Sequence, residues 1–136
     1  MRFFFYGTLI DPDVRRLVMG ATAPATVEPA VLAGWARRGV RGAGYPVIVA
    51  RAGASVDGVL ARSVGAAGRR RLVAYEGPDY DILDVEVTIG GGRRKPALVF
   101  VPARRGGLVA TAAGWDYETW ARRRKRAFLR EIAGER

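Results

Sequence analysis

Val85, Val87 and Ile89 alternate with Asp84, Glu86 and Thr88, and the run ends in Gly90-Gly91-Gly92 before a second apolar stretch from Pro96 to Val101. A period of two places the three apolar side chains on one face, so the segment reads as a half-exposed strand. Three glycines then permit a tight reversal, which makes the two runs an antiparallel hairpin. A chain with such a hairpin must cover one face of a sheet.

Other segments supply the cover. Phe3 to Leu9 reads FFFYGTL, a continuous apolar run favouring a buried strand from about Arg2 to Tyr6. Gly7 follows at once, where a turn with positive φ is expected to aim backbone N–H groups at an anion. Asp11-Pro12 marks a helix start, an acceptor at the cap and proline at the first helical position, with Val14, Leu17 and Val18 as the apolar stripe and Gly20 as the stop. Short strands are expected at Ala30 to Trp35, Pro46 to Ala50 and Ser55 to Leu60, punctuated by Gly39, Gly42, Gly44 and Gly53. Val64 to Tyr75 reads as a helix bringing Leu72, Val73 and Tyr75 to the core and stopped by Gly77-Pro78. Pro102 to Gly114 is a long loop expected to fold over something. Asp116 to Ile132 reads as one amphipathic helix capped by Asp116, with Tyr117, Trp120, Phe128 and Ile132 near one face.

At 136 residues the chain is expected to be a single domain, 1–136, around one core. No run approaches the roughly 18 apolar residues of a membrane span, so a cytoplasmic protein without a membrane partner is expected.

Composition narrows the chemistry. There is no cysteine and no histidine, which excludes Cys-His and Ser-His-Asp nucleophilic systems and thiolate or imidazole zinc sites. A carboxylate acting as general acid and base is the leading option. The net charge of +10 comes almost wholly from arginine, Lys95 and Lys125 being the two lysines. The arginines are scattered in small groups such as Arg104-Arg105, with one dense run at Arg122 to Arg126. No nucleic-acid-binding spacing accompanies them, and a solvated basic face is the preferred reading over a nucleic-acid partner.

Among the carboxylates, Asp11, Asp13 and Asp116 belong to helix starts, Asp84 and Glu86 to a polar strand face, and Glu28, Glu118, Glu131 and Glu135 to polar or terminal stretches. Glu76 differs: Val73-Ala74-Tyr75 precede it and Gly77-Pro78 follow, at an abrupt break between apolar chain and turn. Burial there would raise its pKa toward the operating pH. An ordinary helix-end glutamate is the alternative reading of those residues alone.

Three stretches taken together resemble the γ-glutamylcyclotransferase-like family, in its avirulence-induced-gene-like branch related to γ-glutamylamine cyclotransferase. They are Phe3 to Leu9, Tyr45-Pro46-Val47-Ile48-Val49 followed by Val56-Asp57-Gly58-Val59-Leu60, and Leu72 to Gly77 with Tyr80 after it. The resemblance spans about residues 2–101 and leaves the C-terminal helix, about 116–132, outside. It implies an α+β fold, a small mixed β-barrel-like sheet with a few short helices. It also implies a cofactor-independent, metal-free cyclisation of a small-molecule γ-glutamyl substrate to 5-oxoproline. Glu76 would be the general acid/base, with Tyr6, Gly7, Thr8, Leu9, Tyr45 and Tyr80 binding substrate. Two positions depart from the family pattern: Val73 stands where an acidic residue is frequent, and Ile82 where a basic one is. The alternatives are a non-catalytic module binding a small carboxylate metabolite in the same cavity, or a nucleic-acid-associated protein using the basic helix.

Overall fold

The computed structural model describes residues 1–104 and 106–134; Arg105 and Glu135 lie outside the described residues. Strands β1 (Phe3–Phe5), β2 (Val27–Gly39), β3 (Pro46–Ala61), β4 (Tyr80–Thr88) and β5 (Arg94–Pro102) close into a barrel in the order β1-β3-β2-β4-β5. Neighbours are antiparallel, except that a parallel contact between Phe3 and Leu98 closes the ring. The mixed barrel with helices outside it is the α+β fold expected.

The FFF run is explained by burial on both faces. Phe4 and Tyr6 point into the barrel among Leu32, Ile48, Leu60 and Val99. Phe3 and Phe5 point outward into a second apolar cluster with Val14, Met19, Leu72 and Trp120, beneath the helices. Alternating side chains therefore all meet apolar neighbours, and no polar face is needed.

Helix α1 (Pro12–Met19) begins as its sequence dictates: Oδ1 of Asp11 accepts from the N–H groups of Asp13 at 2.9 Å and Val14 at 3.2 Å. Helix α2 (Ala66–Glu76) ends at Gly77, whose N–H donates to the Val73 carbonyl at 2.9 Å. Leu72 is buried, but Val73 is 44 % exposed. Successive helical residues point roughly 100° apart, so only one of the two can face the core. The hairpin joins β4 to β5 with Val87 and Ile89 buried and Asp84, Glu86 and Thr88 exposed.

Three expectations change. The short strands merge into β2 of 13 residues and β3 of 16. Gly34 and Gly53, both at positive φ, lie where the register shifts between Ala33 and Trp35, and they bend the pair without ending it. The tail is two helices, α3 (Tyr117–Arg123) and α4 (Lys125–Gly134), broken where Arg124 leaves helical geometry at φ −123°, ψ −18°. Asp116 caps α3 as expected. The long loop lies beside the end of β2: Gly39 N–H donates to Ala113 O, and Arg41 N–H to Val109 O, each at 2.9 Å. Among the described residues no helix is long and apolar enough to cross a membrane.

Candidate active site

The end of β1, the end of α2 and the start of β3 meet at one rim of the barrel around a cavity of about 290 Å³. Its walls include Glu76 and every substrate-binding candidate: Tyr6, Gly7, Thr8, Leu9, Tyr45 and Tyr80. Phe4, Phe5, Tyr75, Pro46 and Phe100 complete the barrel side, while Phe128, Glu131 and Ile132 come from α4.

Glu76 is the last residue of α2, and the reversal at Gly77 leaves its carboxylate on the cavity wall. Its side chain is half-buried by exposed area, yet protein surrounds the carboxyl closely enough that burial pushes its pKa up to about 8. Among the described residues no cation pairs with it, so nothing offsets that desolvation.

Opposite it, Thr8 to Ile10 form a 3-10 turn. Gly7 does not take the positive φ expected of it; its φ is −127°. Space explains the glycine instead, since a Cβ there would lie 3.0 Å from both Cγ and Cδ of Pro46. The turn is tied to the helix bearing Glu76 by a 2.9 Å hydrogen bond between the Thr8 and Tyr75 hydroxyls. Tyr6 lines the cavity with its ring, but its hydroxyl donates to the Phe100 carbonyl at 2.7 Å.

The tyrosines are held protonated. Burial raises Tyr80 and Tyr6, with the Glu76 carboxylate adding to both. Burial followed by Asp79 and Glu76 raises Tyr45. Each phenol is therefore kept as an O–H donor.

Several contributors were not legible as site residues. Arg37 on β2 braces the Tyr6 segment: its Nη1 donates to the Tyr6 carbonyl at 2.7 Å, while Nη2 meets Asp57 Oδ1 at 2.5 Å. Glu131, sorted with the terminal carboxylates, lines the cavity. Helical spacing gave the signal for Phe128 and Ile132 as apolar anchors, though not for what they face. Among the described residues no group of acidic side chains is placed to hold a metal ion.

The sequence profile described as gamma-glutamyl cyclotransferase, AIG2-like matches residues 3–121. The Arabidopsis thaliana protein AIG2 C is 29% identical over 117 residues, covering 86% of this chain and 70% of that protein. A solution structure of another Arabidopsis thaliana protein superposes with a TM-score of 0.70 at 25% identity, covering 98% of this chain and 80% of the other. The crystal structure of a γ-glutamyl cyclotransferase specific to glutathione from yeast shares the fold, with a TM-score of 0.60 at 14% identity and coverage of 100% and 87%. The matched residues run beyond Val101 into α3 and take in every element that walls the cavity except α4, and the chain belongs to the gamma-glutamyl cyclotransferase, AIG2-like family.

Proposed function

We propose that the chain converts a γ-glutamyl conjugate to 5-oxoproline and a free amine. The observation that carries this reading is a half-buried glutamate with a pKa of about 8 and, among the described residues, no ion-pair partner, facing the Tyr6 to Leu9 turn across one cavity. The α-amino nitrogen of the substrate attacks its own γ-carbonyl carbon. That N–C bond forms as the bond from the same carbon to the departing nitrogen breaks, and the departing nitrogen leaves with a proton. The α-ammonium loses two protons on becoming the lactam N–H: one goes to water to free the attacking lone pair, and Glu76 takes the second from the attacking nitrogen and returns it to the leaving nitrogen, so the carboxylate is regenerated.

The reacting groups belong to one molecule, so the protein's main task is to hold the folded-back conformer. Well-oriented intramolecular reactions reach effective molarities on the order of 10⁵ to 10⁸ M. Thr8 and Leu9 open a helical turn, where N–H groups lack intrahelical acceptors, and with Gly7 they supply donors for the substrate carboxylate or the tetrahedral oxyanion. Tyr45 and Tyr80 add phenolic donors to the same wall. With a pKa of about 8, roughly a tenth of Glu76 is ionised at pH 7, and its conjugate acid is strong enough to protonate an amine leaving group.

The test is a panel of γ-glutamyl amino acids, γ-glutamylamines and glutathione, with 5-oxoproline followed by mass spectrometry in the wild type and in Glu76→Gln. Product that disappears in the variant supports the reading. Full turnover by Glu76→Gln would remove the role assigned to that carboxylate, and ligand-induced thermal stabilisation without product would favour a binding module.

A further inference from the structure

A second groove, of about 600 Å³, opens beside the cavity and shares Tyr45, Phe128 and Glu131 with it. Its far side is formed by Gly42 to Gly44 on one hand and by Arg123 and Arg124 on the other. Two features of the fold build it. The Arg124 break between α3 and α4 sets these two arginines at a bend above the groove. Trp115 Nε1 donates to the Gly44 carbonyl at 3.0 Å and pins the glycine loop opposite, where a Cβ on Gly44 would already lie 3.6 Å from Cδ of Arg124.

The basic run divides its work accordingly. Lys125 turns away to ion pairs with Asp11 and Asp13. Arg123 and Arg124 line the groove and, among the described residues, have no ion-pair partner. We propose that this groove is a leaving-group subsite in which Arg123 and Arg124 bind a carboxylate carried by the departing amine. The inference rests on the cyclotransferase reading: a substituent on the scissile nitrogen that extends past the shared wall of Tyr45, Phe128 and Glu131 enters this groove. Two guanidiniums against the single carboxylate of Glu131 make the groove attractive to an anion that reaches past that junction. An amine without a carboxylate gains nothing there, so the groove sets substrate class.

The test titrates γ-glutamylalanine and γ-glutamylethylamine, which differ only by the alanine carboxylate, into the Glu76→Gln protein by calorimetry. The alanine conjugate is expected to bind about tenfold more tightly at low salt, the advantage shrinking as salt screens it. Adding Arg123→Gln and Arg124→Gln should bring the ratio close to one, while Arg123→Lys with Arg124→Lys should keep part of it. Equal affinities before the arginines are changed, or a preference that survives their neutralisation, would overturn the subsite. Binding of neither compound would overturn it as well. A preference that the arginine changes abolish, found with no 5-oxoproline from the wild type, would sink the reaction and leave a carboxylate-binding groove without a leaving group; product without preference would sink the subsite and leave the reaction.

Discussion

Lys125 Nζ lies 2.8 Å from Oδ2 of Asp11, a side chain with no exposed surface, and the contact ties the start of α4 to the start of α1. Tyr117 donates to the same oxygen at 2.8 Å, so one buried carboxylate gathers α1, α3 and α4. The arrangement matters to the site because α1 follows the Thr8 turn directly and α4 carries Phe128 and Ile132 into the cavity wall.

Lys125→Met should therefore affect both stability and substrate binding. Breaking a buried pair from one side costs about 3–5 kcal/mol; Lys125 is itself a quarter exposed, so about 2–3 kcal/mol is expected by urea denaturation. The KM for a γ-glutamyl substrate should rise several-fold while kcat changes less, since Glu76, the proposed acid and base, sits on another helix. An unchanged KM would mean that α4 holds its place by apolar packing alone.

The pKa of Glu76 makes a second prediction with a definite sign. Its folded value, about 8, lies above the unfolded carboxylate value, so between these values the folded state holds the extra proton and stability falls as pH rises. Glu76→Gln abolishes that slope. Relative to wild type, the variant should gain up to about 3 kcal/mol between pH 5 and pH 9, a figure kept below the full shift because cavity water screens a half-buried group. Parallel stability curves for the two proteins would show that Glu76 ionises as a surface carboxylate does. In turnover, the same group should give kcat/KM a rising limb with an inflection near 8.

Local chemistry was legible wherever a few neighbouring residues decide the backbone. Asp11-Pro12 starts a helix because capping and proline geometry act within one turn, and the hairpin follows from alternation plus three glycines. The barrel rim carrying Glu76 and the Tyr6 segment was reachable only through resemblance, since no local rule says that residues 6 and 76 meet. Gly53 read as a turn because a glycine between apolar runs can be either turn or bulge, and only the partner strand decides. Asp11 was recognised as a cap but not as a buried ion-pair partner, because Lys125 approaches from the other end of the chain. Arg37 and Glu131 were hidden for the same reason: each acts on a segment distant in sequence.

Arg37→Met tests the support beneath the Tyr6 segment. The guanidinium bridges the Tyr6 carbonyl and the Asp57 carboxylate, and its loss leaves a carbonyl at the cavity rim without its donor. A stability loss of about 1–3 kcal/mol is expected, with kcat/KM falling at least tenfold because a misplacement of roughly 1 Å can cost that much and more. Arg37→Lys should recover charge but not the two-pronged geometry, and so rescue stability better than turnover. Equal rescue of both would argue that only the charge matters.

Gly58 on β3 lies against β1 with no room for a side chain. A Cβ there would fall 2.2 Å from the Phe5 carbonyl oxygen and 2.9 Å from Cζ of Phe4, a backbone atom and a ring packed inside the barrel. Neither can retreat: Phe5 is held in register with Val59, and Phe4 is 1 % exposed. Gly58→Ala must then push β1 off β3, and because β1 closes the ring against β5, the strain reaches the Tyr6 turn. A destabilisation of about 3 kcal/mol or more is expected, at the upper end for overpacking of a core. Gly53→Ala offers the contrast. No atom lies within 4 Å of its would-be Cβ, and its positive φ makes the cost conformational, about 1 kcal/mol. Thermal unfolding of the two variants side by side separates the cases, and a Gly58→Ala protein as stable as Gly53→Ala would show that the strands part more easily than the close approach allows.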